Sequence, residues 1–154
     1  MEKKQLTSFI DKYHLAGNAN SVRLDIKDKK MSCNFITDDQ NVVGTVSMDN
    51  FDIEDVTLGV YATSQLTKLL TALDNDIKLR VNNADGTAFS INLSDSTTDV
   101  TFMLADLSVI RQVPAMKQLP DFNVKIHLTK DFADKFVKSK NALPETENFA
   151  IESD

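Results

Sequence analysis

The chain is poor in residues that build covalently linked or metal-linked folds. Its 154 residues include one cysteine and two histidines, which excludes an internal disulfide and a zinc site of the usual spacing. We expect Cys33 to be a small buried hydrophobic residue. No apolar run approaches the ~20 residues of a membrane span, and residues 1–4 lead into an amphipathic segment rather than a signal peptide. We therefore expect a cytoplasmic protein.

Acidic residues outnumber basic ones, and the net charge of −6 at first argues against nucleic acid as a partner. The lysines are nevertheless concentrated in residues 1–15, 64–73 and 129–141, which carry eight lysines against four acids. A protein with basic helices on an acidic body can hold DNA on one face and repel it elsewhere.

The same three segments show the apolar spacing of amphipathic helices. The first is predicted to end at Gly17-Asn18, while the second follows the capping hydroxyls of Thr63 and Ser64 and the third follows Thr129. The buried stripes are predicted to be Leu6, Phe9, Ile10 and Tyr13 in the first helix, Leu66, Leu69, Leu70 and Leu73 in the second, and Phe132, Ala133, Phe136 and Val137 in the third.

Between the first two helices and after the second, apolar residues alternate with polar ones, which predicts strands with one buried face. The strands lie near residues 22–26, 31–35, 42–48, 77–81, 89–93 and 100–104, with turns at 28–30 and 82–86. In the strand near residues 89–93, Phe89, Ile91 and Leu93 are predicted to share the apolar face. Because each sheet keeps a polar face, helices should cover only the other face, so residues 1–106 are predicted to form one α+β domain.

Residues 58–81, a predicted strand, helix and strand, align without gaps with a second copy 66 positions later. Between the copies, residues 107–120 follow neither period and contain two of the three prolines, which indicates a connector. In the second copy, Phe122, Val124, Ile126 and Leu128 predict a strand before the third helix, and Phe149 and Ile151 begin another. Residues 121–154 therefore read as an incomplete second domain, and the chain as a fragment.

The order of these elements resembles that of the DNA sliding clamps, both the proliferating-cell clamp of eukaryotes and archaea and the clamp of T-even-like bacteriophages. The resemblance is carried by residues 58–70, 76–81 and 99–107, by the connector, and by residues 122–138. It implies the DNA clamp fold and a non-enzymatic DNA polymerase processivity factor without cofactor or metal. It also implies subunits joined head to tail into a ring around duplex DNA, with a polymerase and a clamp loader as partners.

The resemblance also assigns roles to particular residues. The helix lysines would line the hole around DNA, namely Lys3, Lys4, Lys12, Lys68, Lys130, Lys135 and Lys138. Apolar connector residues would form one wall of a groove for peptide tails of replication proteins, namely Val109, Ile110, Val113, Pro114, Met116 and Leu119. One strand would be the edge that pairs with a neighbouring subunit, namely Asp99, Val100, Thr101, Phe102, Met103 and Leu104. We expect the fragment itself to be a monomer or a non-native dimer.

Other interpretations of these features stay open. The lysines can simply solvate helix faces, and the connector residues can simply cover a domain junction. His14 and His127 have no acid or nucleophile at a recognisable spacing, and the acidic turns at 38–39 and 52–55 lack the spacing of a calcium loop. The alternative function is a non-enzymatic, β-rich oligomeric structural or adaptor protein that does not encircle DNA. A small-molecule enzyme would require a deep pocket with convergent polar side chains.

Overall fold

The computed structural model describes residues 1–114, 121 and 125–150. The chain divides into a first unit, residues 1–116, and a second unit, residues 117–154. The division falls inside the predicted connector. The helices and strands of the first unit, in chain order, are α1 (Lys3–His14), β1 (Val22–Lys27), β2 (Lys30–Ile36), β3 (Val43–Met48), β4 (Val56–Val60), α2 (Thr63–Thr71), β5 (Lys78–Ala84), β6 (Thr87–Ser94) and β7 (Asp99–Met103).

The strands form two antiparallel sheets, in the order β3-β2-β1-β4 and β5-β6-β7. In the first sheet, Leu24 of β1 lies opposite both Cys33 of β2 and Leu58 of β4, so the three side chains meet on the buried face. Two tight hairpins connect β1 with β2 and β5 with β6. Their central residues, 28–29 and 85–86, all have positive φ, the geometry whose twist matches paired strands.

The helical stripes of α1 and α2 pack against one face of these sheets, as predicted. All four apolar residues of the α1 stripe are buried, as are three of α2, with Leu69 half-buried. Cys33 is completely buried, and desolvation raises the pKa of its thiol to about 12, so the prediction of a hydrophobic role is confirmed. The α+β fold class with helices on one face is confirmed as well.

Three local predictions differ from the structure. The α-helix α1 ends at His14, where Leu15 adopts a left-handed conformation, and a short 3-10 turn then continues to Gly17. The predicted stop at Gly17-Asn18 is therefore the end of this turn and not of the α-helix. The start of α2 is capped by Asn20, whose side-chain oxygen accepts a hydrogen bond from the Ser64 backbone N–H at 2.8 Å. Phe89 is exposed because the β5–β6 register shifts there, leaving Phe89 as an extra residue in a bulge while Ile91 and Leu93 stay buried.

The first residues form an isolated antiparallel β-bridge, in which Glu2 lies opposite Asp76. Met1 and Ile77 exchange two hydrogen bonds, from the Met1 ammonium at 2.8 Å and from the Ile77 N–H at 3.0 Å. The Lys3 N–H donates to the Asn75 carbonyl at 2.7 Å. These hydrogen bonds hold the start of α1 beside the residues that connect α2 with β5.

The two sheets meet where β4 contacts the chain just after β7. The Ala105 N–H donates to the Gly59 carbonyl at 2.9 Å, and a Cβ atom at Gly59 would overlap the Ala105 carbonyl oxygen. Ile110 is buried beside the same glycine. Arg23 of β1 holds the segment in between, because its Nη2 donates to the carbonyls of Leu107 at 2.5 Å and Ile110 at 3.2 Å. The start of the connector is therefore fastened to the outer side of the first sheet.

The second unit contains helix α3 (Lys130–Ala142), which confirms the third predicted helix and its Thr129 cap. The strand predicted at Ile126 and Leu128 is wrong, and residues 149–150 are not a strand either. A strand requires a pairing partner, and the described residues provide none. Because no described sheet covers it, the predicted apolar stripe of α3 is exposed. The rings of Phe136 and Phe149 pack edge to face, with their centroids 4.9 Å apart. Phe122, Val124 and Ile151 lie outside the described residues.

We expect Gly59→Ala to destabilise the fold by about 3 kcal/mol, because the added methyl must push two backbones apart. Gly86→Ala is the matched control, since a Cβ there meets no atom and only the positive φ adds strain, about 1 kcal/mol. Urea unfolding followed by circular dichroism measures both variants. Equal losses in the two variants would show that the sheet junction tolerates a side chain.

Asp95 organises the turn between β6 and β7. Its carboxylate accepts backbone hydrogen bonds from Asp74, Thr97 and Thr98, each at 2.7 Å, and these lower its pKa to about 2. A folded pKa below the unfolded value of 3.8 means that the stabilisation is present above pH 3.8 and is lost as the pH falls towards 2.

We therefore expect Asp95→Ala to lower the unfolding midpoint at pH 6, and we expect its difference from the parent chain to shrink between pH 4 and pH 2. Asp11→Ala is the control, because the Asp11 side chain accepts no hydrogen bond from the described residues. A difference for Asp95→Ala that stays constant down to pH 2 would mean that the ionised carboxylate does not stabilise this turn.

Candidate interaction surfaces

Helices α1 and α2 lie antiparallel and are joined at both ends. At one end, the Lys3 ammonium donates to the Leu73 carbonyl just after α2. At the other end, the Tyr13 hydroxyl lies 3.4 Å from the Thr63 hydroxyl, and His14 Nε2 lies 3.0 Å from Ser64 Oγ. These contacts hold the two helices as one layer, with a buried side toward the sheets and a polar side away from them.

The polar side of this layer is basic. Within their bounds α1 and α2 carry four lysines and Asp11 as the one acid, whereas the whole chain has a net charge of −6. Lys4 and Lys12 share one side of α1 at helical spacing, and both are exposed, as is Lys68 of α2. Lys3 differs, because it is half-buried and its ammonium is used at the end of α2.

Of the four lysines of α3, Lys130, Lys135 and Lys138 are exposed and Lys140 is half-buried, and two of the four are engaged locally. Lys130 forms an ion pair with Asp134 at 2.5 Å, one helical turn away. Lys140 donates to the carbonyls of Pro144 and Thr146 and lies over the Phe149 ring. Lys135 and Lys138 make no ion pair with the described residues. Of the predicted DNA-contacting lysines, these two and Lys4, Lys12 and Lys68 have exposed side chains and no described ion-pair partner.

The His14–Ser64 pair was not apparent from the sequence, because fifty residues separate its members. The pair does not assemble a catalytic triad, since the described residues place no carboxylate in hydrogen-bond contact with His14. No group of three or more potential metal ligands occurs among the described residues. The acidic turns make local contacts instead, as when Asp52 pairs with Lys29 at 2.8 Å and Asp39 accepts hydrogen bonds from Thr37 and Asn41.

Strand β7 is the outer strand of its sheet. It pairs with β6 on one side, and no described strand pairs with its other side. Its side chains alternate as predicted, with Phe102 buried and Thr101 and Met103 exposed. Leu104 lies just beyond the strand and donates its N–H to the Phe89 carbonyl at 2.9 Å. An unpaired strand edge with apolar side chains can add a strand from another chain.

The predicted groove residues of the connector have different environments. Val109 is exposed, Val113 is half-buried and Pro114 is exposed, whereas Met116 and Leu119 lie outside the described residues. Ile110, which was predicted to line the groove, is only 2% exposed because it fills the space beside Gly59. Ile110 anchors the connector and cannot form the open wall of a groove.

A different apolar surface adjoins the connector. Tyr61, Met103 and Val109 are 63%, 66% and 61% exposed, and they border an open cleft of about 470 Å³ between the start of α2 and the end of β7. Sequence reasoning missed Tyr61, although a tyrosine next to a helix start, on neither the helical stripe nor a buried strand face, was a usable signal. Apolar side chains so close together on a surface are typical of a contact with another protein.

No helix in the part of the chain that the structure describes is long and apolar enough to cross a membrane. No family model matches the sequence, and no curated protein matches it. Thirteen chains of solved structures do match. One is the DNA polymerase sliding clamp from Pseudomonas aeruginosa, solved with a ligand, which superposes with a TM-score of 0.55 at 12% identity. The match covers 74% of this chain and 31% of the clamp chain, so the clamp is much the longer protein. The fold of the present chain is thus the sliding-clamp fold.

Proposed function

We propose that this chain is part of a sliding clamp, which holds duplex DNA along α1 and α2 and tethers a DNA polymerase. The observation that carries the proposal is the α1–α2 layer, which presents exposed lysines although the whole chain is acidic. The layer belongs to a unit with the sliding-clamp fold. The solved clamp has a DNA polymerase in its name, which supports the same class of partner.

The chemistry of the layer suits a protein that slides. Lysine contacts to phosphate are independent of sequence and are weakened by salt, so a few exposed lysines hold duplex DNA loosely without fixing a register. The cross-links at both helix ends keep the lysines in position without using Lys4, Lys12 or Lys68. We propose α3, with Lys135 and Lys138, as the corresponding helix of the second clamp domain.

Two further surfaces suit the partners of a clamp. The free edge of β7 is proposed to pair with a neighbouring subunit in a ring, by strand addition. The start of the connector is proposed to receive peptide tails of replication proteins, with Val109 and Val113 as apolar contacts. We also propose, from the sequence resemblance, a T-even-like bacteriophage type of clamp and a clamp loader as partner.

The second candidate is an oligomeric structural or adaptor protein that does not encircle DNA. The observation that favours it is the surface of Tyr61, Met103 and Val109 beside the β7 edge, which supports association without any basic surface. The net charge of −6 also favours a protein partner over DNA for the remainder of the molecule.

Reversing the charges of the layer tests the first candidate. We expect Lys4→Glu/Lys12→Glu/Lys68→Glu to weaken binding of a 30-base-pair duplex at least tenfold at low salt, measured by fluorescence anisotropy. We also expect the plot of log association constant against log salt concentration to become less steep, its slope becoming less negative by about 2 to 3, because three phosphate contacts are lost.

The control is Lys27→Glu/Lys78→Glu/Lys125→Glu, which makes the same change in net charge at exposed lysines outside the helices. Helix content by circular dichroism should match the parent chain in both triple variants. If the control weakens binding as much as the helix variant, DNA does not bind along the α1–α2 layer.

Changing the β7 edge tests the assembly surface. Met103→Glu places a charge on the exposed apolar side of β7 and should abolish self-association that depends on concentration, followed by sedimentation velocity. Val42→Glu, a similarly exposed apolar residue before β3, is the control and should leave association unchanged. Unaltered association of Met103→Glu would exclude β7 as a subunit contact.

A further inference from the structure

A small polar cleft lies between the outer face of β1 and β2 and the start of the connector. Its volume is about 170 Å³, and it is lined by Arg23, Asp25, Asn34, Arg111, Gln112 and Val113. All six belong to the first unit. None of them belongs to the α1–α2 layer or to the apolar surface at Tyr61. Val113 is also a proposed apolar contact of the connector, but the polar side chains of the cleft have no role in the surfaces described above.

Arg23 is incompletely satisfied in this cleft. Its Nη2 donates to two backbone carbonyls, but its Nε is buried and has no hydrogen-bond partner among the described residues. No carboxylate in the described part of the chain lies within ion-pair distance of its guanidinium. A buried N–H without an acceptor and a cation without a counterion both destabilise the protein. Because the Nε itself is buried, an anion in the cleft would act as the missing counterion of the guanidinium rather than as the acceptor of this N–H.

The other side chains supply donors around the same cleft. The Asn34 Oδ1 accepts a hydrogen bond from the Thr45 hydroxyl at 2.7 Å, and the exposed amide nitrogen makes no hydrogen bond within the described residues. Arg111 is exposed and brings a second guanidinium from the connector. Asp25, whose Oδ1 accepts from the Thr57 hydroxyl at 2.8 Å, is the one acid in the lining.

We propose that this cleft binds a carboxylate group of a peptide from a protein partner, held between the guanidinium groups of Arg23 and Arg111. Guanidinium groups match a planar carboxylate through paired N–H donors. The carboxylate of Asp25 disfavours a doubly charged phosphate, and the small volume admits only a few atoms. Half-buried Val113 at the rim offers contact for an apolar side chain next to the carboxylate. The choice of a protein partner rests on the proposed role of the connector, whereas the anion site does not.

The experiment observes the site directly by NMR. The chain has three arginines, so its Nε–H spectrum contains three assignable signals. The probes are N-acetyl-valyl-leucine with a free C-terminal carboxylate, the same dipeptide as an amide, and N-acetyl-leucyl-glutamyl amide, which carries a side-chain carboxylate. We expect the Arg23 Nε–H signal to shift with one or both carboxylate probes and not with the neutral amide, because a bound anion changes the electric field at the guanidinium. The probe that binds more tightly identifies the source of the carboxylate.

Arg111→Gln should weaken that binding at least fivefold, while Arg80→Gln, an exposed arginine on β5, should leave it unchanged. Arg23 itself is not substituted, because it fastens the connector. Equal shifts with the amide probe, or no shift at millimolar carboxylate, would overturn the proposal, as would a shift caused by duplex DNA but not by the peptides. DNA binding by the α1–α2 layer is measured separately, so failure here leaves that proposal intact.

Discussion

The contact between Gly59 and Ala105 is the constraint on which the rest of the first unit depends. It joins the four-stranded sheet to the end of the three-stranded sheet, and it is possible only because Gly59 has no side chain. The same contact determines where β7 ends and where the connector begins. Ile110 and Arg23 then fasten the connector a few residues later, so the free β7 edge and the polar cleft are both positioned by one close approach of two backbones.

The helical layer depends on a second set of contacts, between residues far apart in the sequence. Lys3 with Leu73, Tyr13 with Thr63, and His14 with Ser64 orient α1 and α2 against each other. Because these contacts use the helix ends, the middle of each helix keeps an apolar side for the core and a lysine-bearing side for solvent. The lysines that are concentrated in two segments of the sequence therefore lie together on one helical layer. This layer has a net positive charge, whereas the whole chain has a net charge of −6.

Most of the first unit could be predicted from the sequence because local periodicity determines which face of each helix or strand is buried. The stripes of α1 and α2 and the hairpin at 82–86 follow directly from residue spacing. Phe89 could not be placed, since a bulge reverses the alternation without a sequence signal. Ile110 and Arg23 were missed for a different reason: their partners lie on segments about 50 and 85 residues away, which spacing does not reveal. In the second unit, the Ile126–Leu128 alternation failed because a strand needs a partner strand.

Three features of the described residues have hydrogen-bonding groups or apolar surface without a partner in the chain: the outer edge of β7, the Nε of Arg23 and the apolar stripe of α3. Within the described residues, strand β7 has no partner strand on its outer side, and the Nε of Arg23 has no hydrogen-bond acceptor. The apolar stripe of α3 is likewise largely exposed, and among the described residues only the Phe149 ring makes an aromatic contact with it. The interior of the first unit, by contrast, is filled, and its buried thiol and phenol are held neutral by raised pKa values. An unpaired strand edge and an unpaired buried donor are both directional, so only a molecule of matching geometry can satisfy them, whereas the exposed lysines of the α1–α2 layer impose no such geometry.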